Sequence, residues 1–257
     1  MKTKKSLGQN FLIDNNVISN IVAEVLACSH DLIIEIGPGM GALTKLLKNK
    51  NAILRCYEVD KDLEDVLKKL EDDKTKIIWQ DFLTSNIKED IKDIKYDKLY
   101  IVGNLPYYIT TPIIEHIIDA NIQLEKLVIM VQKEVADRFM AKVHTKEYGY
   151  ITVILNYFFD IKRVTNVSKY AFKPVPKVES TVLSLIPKEK ENLDYEEFKK
   201  FLKDCFKQKR KTLRNNLKGY EWDKVKSVLD KNEMLESIRA EELSLEMFIN
   251  LFRELRK

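Results

Sequence analysis

The chain has 257 residues, 33% of them charged, and its 44 basic and 40 acidic side chains give a modest net charge of +4. This length suits one domain of about 190 residues and a smaller second one. No apolar run approaches a membrane span, and no apolar segment follows the basic N-terminus, which excludes a secretory signal. The three cysteines are far apart and form no cluster with the three histidines, so we expect reduced thiols, a cytoplasmic protein and no metal site.

The first feature of the chain is a polar arm that precedes a helix. Residues 6–14 read S-L-G-Q-N-F-L-I-D, and lysines precede them at positions 2, 4 and 5. We expect Phe11–Ile13 to anchor the arm and Asp14 or Asn15 to begin a helix. A basic arm with amide side chains can close over a ligand, and the alternative is a frayed terminus with a hydrophobic anchor.

A glycine-rich turn follows the first apolar strand. The strand is Leu32–Ile36, the turn Gly37–Gly41 reads G-P-G-M-G, and a helix is predicted from Ala42 to about Lys48. In such a unit, backbone N–H groups at the helix start face a ligand that approaches too closely for a Cβ atom. The pattern E-x-G-x-G-x-G differs from the pyrophosphate-binding G-x-G-x-x-G and needs only to admit a nucleoside with an amino-acid tail. An incidental glycine turn is the alternative.

Two acidic residues are predicted at the ends of the next two strands. The strand 52–57 ends at Glu58, nineteen residues after Gly39, and the strand 77–80 ends at Asp81. An acid at the end of the second strand of a βαβ unit can accept hydrogen bonds from both ribose hydroxyls. Asp81 can accept the exocyclic amine of an adenine. Either acid could instead cap a helix.

The strand Leu99–Val102 leads into the turn G-N-L-P-Y, which we predict to be the reactive part of the chain. Asn104 and the carbonyl of Leu105 offer two acceptors, Pro106 stiffens the turn, and Tyr107 supplies an aromatic face. Two acceptors on the hydrogens of an adenine amine favour its pyramidal form, whose lone pair points at an electrophile, so no strong base is needed. Ordinary turn chemistry is the alternative.

The remaining elements complete an α/β domain. We predict helices over 112–119 and 133–140 and strands over 127–132, 150–159 and 180–186. Strands that alternate with helices imply a parallel sheet covered on both faces, with ligands at the carboxyl ends of the strands. Between the last two strands, the prolines of F-K-P-V-P-K-V would stiffen a loop that holds Phe172 outward, to stack on a base opposite Tyr107. The alternative is that Phe172 belongs to the core.

From Asp194 onward, helical periodicity replaces the strand signals. An apolar face through Phe198 and Phe206 and a basic face from Lys207 to Lys218 predict an amphipathic helix that ends at Gly219 and can bind phosphates. A solvated helix face is the alternative. We therefore divide the chain into a first domain at residues 1–188 and an all-helical, RNA-docking domain at 189–257.

The chain resembles the ribosomal RNA adenine N6-dimethyltransferase family, in its KsgA branch, through S-L-G-Q-N-F-L, E-I-G-P-G-M-G, Glu58, Asp81, G-N-L-P-Y and F-K-P-V-P-K-V-E-S-T-V. The resemblance implies a class I, Rossmann-like methyltransferase sheet with helices on both faces and a small all-helical C-terminal domain. It also implies transfer of methyl groups from S-adenosyl-L-methionine to N6 of two adjacent adenosines near the 3' end of small-subunit rRNA, two on each, during ribosome biogenesis.

The resemblance also assigns roles to residues. Cofactor binding is assigned to Asn10, Leu12, Gly37, Glu58, Asp81 and Asn104. The catalytic residues are Asn104, Leu105, Pro106, Tyr107 and Phe172, with Tyr107 and Phe172 on either side of a flipped base. Tyr108 stands where relatives often carry asparagine, which bears on the fine shape of the pocket. The implied partners are small-subunit rRNA and the immature small ribosomal subunit, with no membrane, for a monomeric enzyme.

Three other functions stay open on these residues. Erm-type methyltransferases of large-subunit rRNA share N-L-P-Y, although the P-V-P-K-V-E-S loop and the S-L-G-Q-N-F-L arm favour the KsgA branch. A DNA adenine methyltransferase would need a sequence-reading domain, which the helical tail does not resemble. A ribosome assembly factor or transcription factor that binds nucleic acid without catalysis is the third, and the intact Asn104, Glu58 and Asp81 argue against it.

Overall fold

A mixed sheet organises the first part of the chain, in a computed structural model that describes residues 9–257. Ser6–Gly8 and the lysines of the predicted arm lie outside the described residues. The strands of the sheet, in chain order, are β2 (Leu32–Ile36), β3 (Ile53–Tyr57), β4 (Thr75–Ile78), β5 (Leu99–Asn104), β6 (Lys126–Gln132), β7 (Phe159–Val167) and β9 (Ser180–Pro187). Their spatial order is β4-β3-β2-β5-β6-β9-β7. A separate antiparallel ribbon pairs β1 (Phe11–Leu12) with β8 (Phe172–Lys173).

Helices connect the strands and continue alone after β9. In chain order they are α1 (Asn15–Glu24), α2 (Ala42–Leu47), α3 (Glu64–Leu67), α4 (Ile87–Ile91), α5 (Thr110–Asp119), α6 (Lys133–Phe139), α7 (Tyr150–Phe158), α8 (Tyr195–Cys205), α9 (Leu213–Asn216), α10 (Trp222–Lys231) and α11 (Leu245–Leu255). The predicted alternation of strands and helices is confirmed, and Asp14 caps α1 by accepting from the N–H groups of Asn16 and Val17.

The sheet is covered on both faces. Every side chain of β2 is buried, so the residues of both alternations face packed neighbours. The strand pairs β2–β3, β2–β5, β3–β4 and β5–β6 are parallel, whereas β9 runs antiparallel to β6. The α/β prediction is therefore confirmed. The predicted parallel direction is wrong for β9, which runs antiparallel to β6.

The predicted strand over residues 150–159 is wrong, because these residues form helix α7. Ile151–Leu155 are all buried, and so continuous an apolar run indicates a buried strand as easily as a buried helix. Thr152 Oγ1 accepts from the Gly149 N–H and donates to the carbonyl of Arg138, which ties down the start of the helix. The neighbouring strand β7 is half polar, so its composition did not indicate a strand.

The predicted amphipathic helix through Lys218 is also wrong, because α8 ends at Cys205. The Asn216 side chain donates to the carbonyl of Cys205 at 2.8 Å and to that of Gln208 at 3.2 Å, so a side chain takes the place of the next helical N–H groups. Thr212 then caps the short helix α9. The basic side chains from Lys207 to Lys218 are exposed, but they lie on turns and on α9 instead of one helix face.

The chain divides into two compact units. The first unit ends at Ala136 and resumes over Asp160–Pro187, and the second comprises Asp137–Phe159 and Lys188–Lys257. The sequence-based boundaries placed residues 137–159 in the first domain, whereas here they belong with the C-terminal helices. The second unit is built on fully buried aromatic side chains of α8 and α11, which include Phe198, Phe201 and Phe248. Over residues 9–257, no helix is both long enough and apolar enough to cross a membrane.

Candidate active site

The glycine turn between β2 and α2 follows a path that few side chains permit. Gly37, Gly39 and Gly41 all have positive φ angles, of 68°, 58° and 74°. A Cβ atom at Gly41 would collide with Leu70, and one at Gly39 would lie 3.1 Å from Phe11 Cδ1. The turn therefore presents backbone, and not side chains, at the carboxyl end of β2.

Glu58, directly after β3, is held by the backbone around it. Its Oε2 accepts from the Gly39 N–H at 3.1 Å, and its Oε1 accepts from the N–H groups of Val59 and Asp60 at 2.9 Å each. Only 6% of the residue is exposed, and burial raises the pKa of its carboxyl group. A carboxylate can accept about four hydrogen bonds, so Glu58 keeps acceptor capacity for a ligand hydroxyl.

Asp81 serves as a cap and also lines the cavity. The strand β4 ends at Ile78, earlier than the sequence predicted, and Asp81 begins a short 3-10 turn over Phe82–Thr84. Its Oδ1 accepts from the Leu83 N–H at 2.9 Å. Phe82 beside it is buried, with its ring 5.2 Å from that of Tyr57 in an edge-to-face contact. Asp81 is therefore a cap, as the alternative interpretation held, and it also lines the cavity.

The turn after β5 is tied to distant parts of the chain. Asn104 is the last residue of β5, and its Nδ2 donates to the carbonyl of Asn10 at 3.2 Å, so its Oδ1 is the side chain's remaining acceptor. The Leu105 N–H donates to the carbonyl of Met130 at 3.1 Å. The Tyr107 hydroxyl lies 2.7 Å from Ser180 Oγ, and burial raises the pKa of Tyr107. These bonds fix the direction of each group in the turn.

Gly103 shows why β5 can lie so close to β2. A Cβ atom there would be 2.8 Å from the carbonyl oxygen of Ile36 and 3.0 Å from Leu105 Cδ2. The glycine therefore sets the short distance between the end of β5 and the start of the glycine turn. As a result, the two candidate ligand-binding turns open into one cavity.

All but one of the predicted site residues line that cavity, at the carboxyl ends of β2, β3 and β5. They are Asn10, Leu12, Gly37, Glu58, Asp81, Asn104, Leu105, Pro106 and Tyr107. The arm is part of the cavity wall and is bonded to the rest of it. Gln9 Nε2 donates to Asp60 Oδ2 at 2.6 Å, and the carbonyl of Asn10 accepts from Asn104 Nδ2. Across residues 9–257, no group of three or more His, Cys, Asp or Glu side chains is arranged to hold a metal ion.

Phe172 is the exception, and the expectation that it faces outward is wrong. It is 1% exposed, belongs to the hydrophobic core and does not line the cavity. The reason is the ribbon: Phe172 pairs with Leu12 and Lys173 with Phe11. Because neighbouring strand residues point to opposite sides, Lys173 is exposed and Phe172 points into the core.

One of the cavity-lining residues that the sequence did not single out as part of the site is a buried acid. Glu35 is 1% exposed, its Oε2 accepts from Thr44 Oγ1 at 2.7 Å and from Cys56 Sγ at 3.5 Å, and burial raises its pKa to about 7. The sequence signal that could have identified Glu35 is an acid inside an otherwise apolar strand. Tyr108 also lines the cavity, with 60% of the residue exposed.

The glycine turn, the acids at strand ends and the mostly parallel sheet define a class I methyltransferase. The model of the ribosomal RNA adenine dimethylase family matches residues 1–257, and the chain belongs to this family. A curated relative from Mycoplasma mobile, ribosomal RNA small subunit methyltransferase A, is 42% identical over 98% of this chain and 98% of its own. The chain is therefore an S-adenosyl-L-methionine-dependent rRNA adenine dimethyltransferase, and the recognition made from the sequence is confirmed.

Two solved structures share the fold across both units. A dimethyladenosine transferase from Plasmodium falciparum superposes with a TM-score of 0.79 at 25% identity, covering 96% of this chain and 97% of that one. The 23S rRNA methyltransferase ErmE gives a TM-score of 0.72 at 26% identity, with 96% and 100% coverage. The likeness extends through the C-terminal helices, so the prediction of the fold class is confirmed.

The residues present fit S-adenosyl-L-methionine. A Cβ atom at Gly37 would stand in open space, buried Glu58 has acceptor capacity for a ribose hydroxyl, and Asp81 offers a carboxylate at the next strand end. Asn10 and Leu12 line the same cavity from the arm. The cavity therefore has backbone for the amino-acid part of the cofactor and carboxylates for its nucleoside.

Proposed function

We propose that this enzyme transfers methyl groups from S-adenosyl-L-methionine to N6 of two adjacent adenosines near the 3' end of small-subunit rRNA, giving N6,N6-dimethyladenosines during ribosome biogenesis. The observation that carries this proposal is one cavity shared by the cofactor-type turn and the Asn104–Tyr107 turn. The name of the Mycoplasma mobile relative supports the small subunit as the substrate.

In this proposal, residues at the strand ends and on the arm would hold the cofactor. Glu58 would accept a hydrogen bond from a ribose hydroxyl, Asp81 would accept one from the adenine amine, and the backbone of Gly37 would face the amino-acid part. Asn10 and Leu12 close the site from the arm. S-Adenosyl-L-methionine, when bound, supplies an electrophilic methyl carbon on a sulfonium. The buried hydrogen bonds of Glu58 keep its carboxylate in place before the ligand arrives.

The target amine is held by the turn after β5. Asn104 Oδ1 and the carbonyl of Leu105 accept its two hydrogens, so the nitrogen lone pair is directed at the methyl carbon. These two acceptors would hold the amine in place while its nitrogen takes the methyl group from the sulfonium, with S-adenosyl-L-homocysteine as the leaving group, and one amine hydrogen would then leave as a proton to water. One hydrogen remains on the nitrogen after the first transfer, so one of the two acceptors can still orient the amine for the second.

Tyr107 provides the stacking surface in this proposal, and Pro106 holds it in position. The Tyr107 hydroxyl is hydrogen-bonded to Ser180 Oγ, so the Tyr107 ring has a fixed orientation at the cavity. Phe172 lies in the core, so it takes no part in this stacking site. The base must leave its own stack to reach the cavity.

We also propose that the partner is the immature small ribosomal subunit, that the enzyme acts as a monomer in the cytoplasm, and that the second unit docks on RNA. The exposed side chains Lys207, Lys209, Arg210, Lys211, Arg214 and Lys218 supply its positive charge. Some of this charge is already paired, because Arg214 meets Glu236 at 3.3 Å and Lys209 meets Glu241 at 3.8 Å. Binding through this surface should weaken steeply with salt.

The test is to locate the modification in rRNA. Primer extension and nucleoside mass analysis on cells with and without the gene should show two adjacent dimethyladenosines in small-subunit rRNA that depend on the gene. A modification in large-subunit rRNA would support the second candidate, an Erm-type activity, which the likeness to ErmE favours. Unchanged rRNA in the absence of the gene would contradict both activities.

A further inference from the structure

An exposed patch with both lysines and apolar side chains lies beside the cavity in the first unit. We call it the rim surface. Its exposed members are Ile13, Tyr170, Lys173, Val175 and Lys177, and half-buried Lys169 lies beside Tyr170. Tyr170 is 72% exposed, Ile13 56% and Val175 53%, so these are among the most exposed large apolar side chains of the described chain. Apolar side chains exposed together next to a binding cavity are typical of an interaction surface.

The rim surface adjoins the cavity wall through the β1–β8 ribbon. Phe11 and Leu12 line the cavity, and their partners across the ribbon are Lys173 and Phe172. The ribbon is extended by the Ile13 N–H, which donates to the carbonyl of Ala171 at 2.8 Å. A strand of RNA whose base entered the cavity would therefore pass next to the ribbon that carries Lys173.

The charges of the rim surface are available for a partner. Within residues 9–257, none of its three lysines lies within ion-pair distance of a carboxylate. The neighbouring acid, Glu179, is paired with Lys133 at 3.5 Å. Lys169 Nζ lies 5.4 Å from the centre of the Tyr170 ring, so a cation stands beside an exposed aromatic face.

We propose that the rim surface binds the nucleotides that flank the target adenosine, as single-stranded RNA. Lys173 and Lys177 contact phosphates, and Tyr170 stacks on a base, with Lys169 beside it. The occupant is RNA because the patch joins positive charge to an aromatic ring, the combination that single strands recognise without sequence preference. This inference rests on the proposed function for the identity of the target, but the binding of RNA to the patch can be measured without any methyl transfer.

The experiment uses the full chain and a short fluorescein-labelled single-stranded RNA, titrated over a series of KCl concentrations. We expect Tyr170→Ala to weaken RNA binding about tenfold, which is within the range for loss of one base stack. The double variant Lys173→Ala/Lys177→Ala should lower the slope of log K against log salt by about 1.4, at about 0.7 per phosphate contact on a single strand.

The matched control removes the same charge elsewhere in the first unit. Lys76 and Lys95 are exposed, and Lys76→Ala/Lys95→Ala should leave the salt slope at the wild-type value apart from a small long-range effect. Inorganic polyphosphate distinguishes the phosphate contacts from the base stack, because it has no bases. Tyr170→Ala should therefore not change polyphosphate binding. All variants should bind S-adenosyl-L-methionine as the wild type does, which shows that they are folded.

Wild-type RNA affinity in Tyr170→Ala, or equal salt slopes in the two lysine variants, would overturn the proposal. Equal loss of polyphosphate binding in Tyr170→Ala would also contradict the stacking role. Should the proposed function fail because no rRNA position depends on the gene, these binding results would still stand, so the two failures can be told apart.

Discussion

The two turns that open into the cavity are stabilised in different ways. On the cofactor side, Glu58 is bonded to N–H groups one, two and nineteen residues away in the sequence. On the target side, Asn104 bonds to a residue 94 positions away, and Tyr107 to one 73 positions away. The cofactor side is therefore set by local backbone, whereas the target side depends on the assembled fold.

This difference predicts that damage to the two sides can be separated. A substitution on the target side should affect methyl transfer or RNA binding and spare cofactor binding. One on the cofactor side should affect the binding of S-adenosyl-L-methionine first. The following changes test this separation.

Asn104→Ala should have the largest effect. Loss of one preorganised contact to the reacting group should lower kcat for rRNA methylation about 100- to 1,000-fold. The affinity for S-adenosyl-L-methionine, measured by calorimetry, should fall far less, because Glu58 and the glycine turn are untouched and only the bond from Asn104 to Asn10 of the arm is lost. Equal losses in kcat and in cofactor affinity would contradict the separation of the two sides.

Glu35→Gln should stabilise the protein in a pH-dependent way. Burial raises the folded-state pKa of Glu35 from 4.5 to about 7, so folding binds a proton between these values and the wild type loses stability as pH rises through this window. Above it the cost is on the order of 3 kcal/mol. The glutamine side chain of the variant carries no such cost, since its amide stays neutral.

Thermal unfolding measures this effect. The variant should melt several degrees above the wild type at about pH 8 and at nearly the same temperature at about pH 5. Glu89→Gln, at an exposed acid in the same unit, is the control and should show no comparable pH-dependent gain. A constant difference between Glu35→Gln and wild type at both pH values would show that the carboxyl group does not titrate in this window.

Glu58→Gln should weaken binding of S-adenosyl-L-methionine about ten- to a hundredfold. The amide has one acceptor oxygen in place of two, and its NH₂ group would face a backbone N–H of Gly39, Val59 or Asp60. The variant therefore loses hydrogen bonds that the wild type makes to a charged group. Calorimetry with the purified protein measures the affinity. The single-stranded RNA affinity serves as the control, and its loss in parallel would indicate general unfolding.

Tyr107→Phe should have the smallest effect. The ring remains as a stacking surface, but the bond to Ser180 is lost, so we expect KM for rRNA to rise about fivefold with kcat little changed. Tyr96→Phe, in the loop before β5, is the matched control. A fall in kcat without any change in KM would show that the hydroxyl contributes to the chemical step and not to positioning.

The sequence was most informative where structure is local. The glycine turn, Glu58 and the turn after β5 each lie directly after an apolar strand, so their placement at one edge of the sheet follows from parallel topology. The Asp81 cap could also be foreseen, because a strand end followed by a 3-10 turn needs an acceptor for its first N–H groups.

Long-range pairing accounts for what the sequence did not predict. Phe172 is buried because β8 pairs with β1, a contact between residues some 160 positions apart, and no local pattern encodes it. The nearly continuous apolar run of helix α7 indicated a strand as easily as a helix. The end of α8 depends on Asn216, whose side chain returns to the carbonyl of Cys205.

The most direct test of the central claim is nucleoside mass analysis of rRNA after incubation of immature small subunits with S-adenosyl-L-methionine and pure enzyme. The wild type should produce N6,N6-dimethyladenosine at two adjacent positions near the 3' end, and Asn104→Ala should produce almost none although it binds the cofactor. Wild-type yields of dimethyladenosine from Asn104→Ala, or no dimethyladenosine from the wild type, would contradict the account.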